Sequence, residues 1–198
     1  LDTKEKINEA LHIAGEDTGI VIALGQVDLE LGYYHRIHNK GEKITPQTYV
    51  TWLIQIYENF VTEIPKAKNV ALKGVNLTVL GQPDFTKGYI SRIIQPTEES
   101  EERLEEIILT ETEQNKMHLQ FNEELKKLSK RNNIKYFDIN KYICRRDEYN
   151  QTPQIELGLR EEYRPGKVDH HLVDSLAVRA IHIRETLRTF SKENILSD

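Results

Sequence analysis

The sequence predicts an α/β fold, a three-layer αβα sandwich around a mainly parallel sheet, and three observations predict it. Short apolar runs of strand length, Ile20 to Leu24, Val70 to Leu80 and Ile134 to Ile139, alternate with segments whose apolar residues recur at helical spacing. The order along the chain is αβαβαβα, and strands separated by helices pair in parallel through right-handed crossovers. The first run is apolar on both faces, the pattern of a central strand covered by helices on each side. With 198 residues the chain suits one hydrophobic core, so residues 1–198 are read as a single domain.

Each element follows from local signals. Ile7, Ala10, Leu11 and Ala14 step at helical intervals, and the stretch from Gly15 to Gly19 ends that pattern before the first strand. A polar loop containing Gly32 and Gly41 follows the strand. Thr45 and Pro46 then supply an N-cap and a first-turn proline for a helix to about Ile64, with Tyr49, Trp52, Leu53, Ile56, Tyr57 and Phe60 on its apolar face. Pro65 stops it. Val70 to Leu80 reads as the second strand, ending in the turn Gly81-Gln82-Pro83-Asp84. Thr97 to Glu113 holds eight glutamates and one arginine, a solvated loop or exposed helix face without assigned chemistry. Met117, Phe121, Leu125 and Leu128 mark the next helix, IKYFDI the third strand, and Leu172 to Phe190 the last helix.

Composition removes several classes of function. The net charge of -5 lacks the basic footprint that nucleic-acid binding needs, so no nucleic-acid partner is expected. No apolar run approaches the ~20 residues of a membrane span, so no membrane partner is expected either. The lone Cys144 rules out an internal disulfide or a thiolate zinc site and reads as a small packing residue near a strand end. The opening LDTKEKINEAL lacks the basic and apolar regions of a signal peptide, leaving a cytoplasmic site as the default expectation. No metal and no cofactor are expected. His35 and His38, three apart, would form a metal site only with His170 or His171 beside them. Tyr33, Tyr34, Tyr49 and Tyr57 suit either a carbohydrate face or, more commonly, core packing.

In a parallel sheet, ligands bind beyond the carboxyl ends of the strands. Gly25-Gln26-Val27-Asp28 follows the first strand, and Val168-Asp169-His170-His171-Leu172 precedes the last helix. A glycine at a strand end lets the backbone turn sharply and present its N–H to a ligand. An aspartate just ahead of a histidine orients an imidazole and stabilises its charged form. The same residues have a plain reading as a polar cap of the last helix, with Asp169 as its N-cap.

Together, IVIALGQVDLELGYYHRI, MHLQFNEELKKLSKRNNIKYFDI and KVDHHL resemble blocks of the SGNH (GDSL-like) hydrolases, in the branch that writes its third block Gly-Glu-x-Asp or Gly-Gln-x-Asp. The resemblance spans Ile20 to about Phe190. It implies an SGNH-hydrolase-like, flavodoxin-like sheet and a serine ester hydrolase or acyltransferase acting on O-acyl groups, carbohydrate O-acetyl groups among them. It implies His171 as general base, with His170 as the competing choice, Asp169 as its orienting carboxylate, Gly25 as a backbone oxyanion donor and Asp28 as a loop-fixing residue. Val27 stands where the family has its oxyanion asparagine, which makes Gln26 the candidate replacement. The family's nucleophile lies in a Gly-Asp-Ser motif on an earlier strand, and no serine precedes Ser91. That block is therefore expected upstream of Leu1, on a strand beside the Ile20 to Leu24 run. Asp174-Ser175-Leu176 imitates the motif from inside the last helix, without the strained turn a nucleophile needs. The alternative function is a catalytically silent relative that binds a glycan or acyl ligand. A flavodoxin-like nucleotide-binding role lacks a glycine-rich phosphate loop.

Overall fold

A computed structural model describes residues 3–15, 17–65, 69–80, 83–94, 106–145, 158–165 and 171–191. The described chain is mixed α/β, with a small three-stranded parallel sheet in the order β1-β2-β3. Helix α1 (Thr3–Ile13) leads into β1 (Gly19–Ala23), α2 (Pro46–Thr62) into β2 (Asn69–Lys73), and α3 (Pro83–Ile94) and α4 (Glu111–Arg131) into β3 (Lys135–Phe137). A short α5 (Asn140–Ile143) and a long α6 (Leu176–Phe190) complete the order. Val70, Ala71 and Leu72 of β2 are all buried, so both faces of the sheet are covered there, an arrangement compatible with an α/β sandwich.

The caps behave as residue chemistry requires. Thr45 Oγ1 accepts the N–H of Thr48 at 3.1 Å, and Pro46 opens α2 where a missing donor costs nothing. At α4 the capping is reciprocal: Thr110 Oγ1 accepts the Glu113 N–H at 3.3 Å while Glu113 Oε2 accepts the Thr110 N–H at 2.9 Å. That N–H holds the Glu113 carboxyl below its ordinary range. Thr110→Ala should lower stability by about 1 kcal/mol, read as a shifted urea midpoint, with Thr110→Ser close to wild type. An unchanged midpoint in Thr110→Ala would show that the box adds nothing to the fold.

The two long helices α2 and α4 pack together over β1 and β2. Tyr49, Val50, Leu53 and Val61 of α2 and Met117, Phe121, Leu125 and Leu128 of α4 are buried. Burial of such side chains contributes roughly 1.5–3 kcal/mol each before conformational entropy is subtracted. The Tyr57 and Phe121 rings meet edge to face at 5.3 Å. Tyr33, Tyr34 and Tyr49 are buried core rings.

Four expectations need correction. The segment after β1 is helical rather than a polar loop, with π-helical turns over Asp28–Gly32 and His35–Asn39. Leu29, Glu30, Tyr33 and Tyr34 share its buried side, and a glutamate among the buried positions disguised the helical spacing. The second strand stops at Lys73, because side chains rather than a strand take the backbone donors from Val75 onward. The last helix begins at Leu176, with Ser175 as N-cap accepting the Val178 N–H at 3.3 Å, so neither Asp169 nor the histidines cap it. Finally, β1 pairs only with β2 among the described residues and forms an edge. Its Gly19, Val21 and Ala23 are exposed.

Candidate functional site

The 74–80 segment beyond β2 is the structural foundation of the site. Its backbone N–H groups are taken in succession: Gly74 donates to Phe137 O at 2.9 Å and Val75 to Asn122 Oδ1 at 2.8 Å. Asn76 donates to Gln26 Oε1 at 2.9 Å, Leu77 to Asn140 Oδ1 at 3.0 Å and Thr78 to Asn115 Oδ1 at 2.7 Å. His118 Nδ1 meets Asn76 O at 2.8 Å, which assigns the proton to that nitrogen because a carbonyl only accepts. Asn115, His118 and Asn122 lie at i, i+3 and i+7, so one buried polar stripe of α4 holds the loop. A backbone whose five successive donors from Gly74 to Thr78 are all taken is rigid, and whatever it carries is held in one place.

Gln26 belongs to this framework. Its oxygen holds the Asn76 N–H and its nitrogen donates to Glu30 Oε1 at 2.7 Å. Glu30 is fully buried, accepts also from Thr78 Oγ1 at 3.3 Å, and has its carboxyl pushed up to about 8 by loss of solvent. Asp28 accepts the Tyr57 hydroxyl on its carboxylate at 2.9 Å and the Tyr49 hydroxyl on its carbonyl at 2.6 Å, tying the helical segment to α2. Burial and the nearby Asp28 charge raise both tyrosine hydroxyls above their ordinary range, so they stay protonated and donate to Asp28. Gly25, with φ +102°, turns the chain out of β1, and a Cβ there would stand 2.9 Å from the Phe121 ring.

Two hollows open near these residues. An open groove of about 1130 Å³ runs beside Ala23 and Gly25 and is walled by Trp52, Ile56 and Phe60 of α2. Trp52, Ile56 and Val27 leave large apolar surface exposed there. A smaller cavity of about 240 Å³ lies at the carboxyl ends of β1 and β2, lined by Gln26, Val27, Lys73, Asn76 and His171. The structure therefore brings His171, which is exposed, to the same cavity as Gln26. Gly25 lines the larger hollow, and Asp28 faces α2. Asp169 and His170 lie outside the described residues.

Sequence reasoning missed Lys73, the last residue of β2. Its Nζ donates to Gly74 O and Asn76 Oδ1, both at 3.0 Å, and burial pushes its ammonium down to about 8 against the opposing pull of Asp138. The sequence offers only a lysine directly before a glycine, inside a run that reads as strand to Leu80. No group of three or more histidine, cysteine or acidic side chains placed to hold a metal occurs among the described residues. Cys144 is buried and caps α5. Among the described residues, no helix is long and apolar enough to cross a membrane. No family model, curated protein or solved structure matches this chain.

Proposed function

We propose that the protein is an SGNH-type serine ester hydrolase or acyltransferase acting on O-acyl groups, carbohydrate O-acetyl groups among them, on a three-layer αβα sandwich. The observation that carries this reading is the cavity at the carboxyl ends of β1 and β2, which both His171 and Gln26 line. In this reading the nucleophilic serine stands on a further strand paired to the open edge of β1. Its covering helix fills the apolar groove along α2, removing both an exposed edge and an exposed apolar surface.

The chemistry then balances simply. His171 takes the proton of the serine hydroxyl as its oxygen bonds to the ester carbonyl carbon. The carbonyl electron pair moves onto oxygen, where the Gly25 N–H stabilises it. When the tetrahedral intermediate collapses, the alkoxide leaves with the proton from His171. Water, or an acceptor hydroxyl in a transferase, repeats the sequence to free the serine. Asp169 orients the imidazole, and His170 is its competitor as base.

Hydrolysis of p-nitrophenyl acetate by the complete gene product tests this. His171→Ala should lower kcat by about two to four orders of magnitude with the melting temperature unchanged, and His170→Ala should leave it intact. The reverse pattern moves the base to His170. Wild-type turnover in both variants sinks the reading. One observation favours the second reading, a silent glycan- or acyl-binding domain: no serine among the described residues lines either hollow. Saturable ligand binding without turnover by the complete gene product would select it.

A further inference from the structure

Lys73 is placed as a ligand-binding cation. It ends β2 in register with Ala23 of β1, and both residues line the 240 Å³ cavity that Gln26, Asn76 and His171 share. Two of its three ammonium donors go to neutral oxygens, Gly74 O and Asn76 Oδ1. The Asp138 carboxylate, whose charge pulls on the ammonium, takes its hydrogen bonds from other groups: its oxygens accept the Tyr136 hydroxyl at 3.2 Å and the Asn140 N–H at 3.0 Å. Burial holds the His182 imidazole of α6 below its ordinary value, and the Lys73 charge adds to that effect. A partly desolvated ammonium satisfied by neutral acceptors still gains from an anion, since charge-assisted hydrogen bonds are roughly twice as strong as neutral ones.

The surroundings select the type of anion. One ammonium, already acted on by the Asp138 carboxylate, offers at most one net positive charge. A dianionic phosphate is recognised where several cations or a bidentate arginine converge, and among the described residues no arginine lines this cavity. The volume falls below the ~300–1,000 Å³ of sites for drug-sized ligands, so a short acid fits. We propose that this cavity binds the carboxylate of a small acid through Lys73 Nζ, with the Asn76 side chain holding the ammonium in place. Identifying that acid as the one released from the ester rests on the hydrolase reading above; the binding site itself does not.

Sodium acetate titrated into the complete gene product, against sodium chloride at equal ionic strength, tests it by NMR. The expected result is a saturable perturbation centred on Lys73 and Asn76, with Kd on the order of 1 mM. Lys73→Met should weaken it by about tenfold or more, and Lys73→Arg should retain most of it. Lys73→Gln serves as the neutral variant should the methionine disturb folding, which the spectral dispersion reports. Absence of a saturable acetate response, wild-type affinity in the neutral variants, or tighter binding of inorganic phosphate than of acetate would each overturn the proposal. A protein that binds acetate through Lys73 without cleaving esters keeps this site and loses the hydrolase reading. One that cleaves esters without binding acetate does the opposite.

Discussion

Glu30→Gln stabilises the protein relative to wild type by an amount that grows from pH 5 to pH 8. The Glu30 side chain is fully buried, and its pKa is raised from 4.5 to about 8, first by desolvation, with the Gln26 and Thr78 hydrogen bonds opposing. A carboxyl whose folded pKa lies above its unfolded value contributes stability that is fully present below pH 4.5 and is lost as pH rises through 8. Each pH unit inside that window costs up to about 1.4 kcal/mol. Between pH 5 and pH 8 the total is about 3–4 kcal/mol. Glutamine keeps the neutral shape and cannot ionise, so the variant escapes the loss. His118 works in the other direction: burial lowers its pKa from 6.5 to about 4, so its neutral form contributes stability that is lost as pH falls through that range. That contribution is common to both proteins and cancels in their difference. Urea unfolding at pH 5, 6, 7 and 8 measures the effect. Parallel stability profiles would mean that Glu30 is ionised in the fold at neutral pH.

How much of this was legible in the sequence depends on which force set each feature. Helix α2 was readable from Thr45-Pro46 and Pro65 because capping and proline geometry act within a few residues. β1 was readable as a short apolar run, and the face of α4 from Met117, Phe121, Leu125 and Leu128. The 74–80 segment was not, since its apolar residues look like a continuing strand. What ends that strand is distant: amides at 115, 122 and 140 and the Gln26 side chain claim the backbone donors across gaps of 37 to 63 residues. The helical segment after Gly25 was hidden similarly, because a glutamate reads as solvent-facing until its burial is seen. At the site, Gly25, Gln26 and His171 were legible as punctuation around strand ends. Lys73 became visible only once β2 was known to stop there.

The Asn122 side chain is where that distant control concentrates, and removing it should cost about 3 kcal/mol. Its amide makes a two-pronged clamp on one residue: Oδ1 accepts the Val75 N–H and Nδ2 donates to Val75 O, both at 2.8 Å. In Asn122→Ala the carbonyl keeps a second donor, Asn140 Nδ2 at 2.9 Å, but the Val75 N–H loses its partner inside the protein. An orphaned buried donor costs about 1–3 kcal/mol, and the vacated volume adds to it. Asn122→Asp separates the two prongs. Its carboxylate still accepts from Val75 N–H, yet it cannot donate to Val75 O and places negative charge against that carbonyl. Below its pKa the acid has an O–H to donate, so Asn122→Asp should approach wild type at pH 4 and fall behind at pH 7. Equilibrium urea melts of both variants decide this. A loss within ~0.5 kcal/mol for Asn122→Ala, the size of an ordinary surface change, would show that the 74–80 segment is held by its apolar side chains instead. The clamp also bears on Lys73, whose acceptors Gly74 O and Asn76 Oδ1 flank Val75 on either side. A loosened Val75 therefore weakens acetate binding in Asn122→Ala, although that residue does not line the cavity.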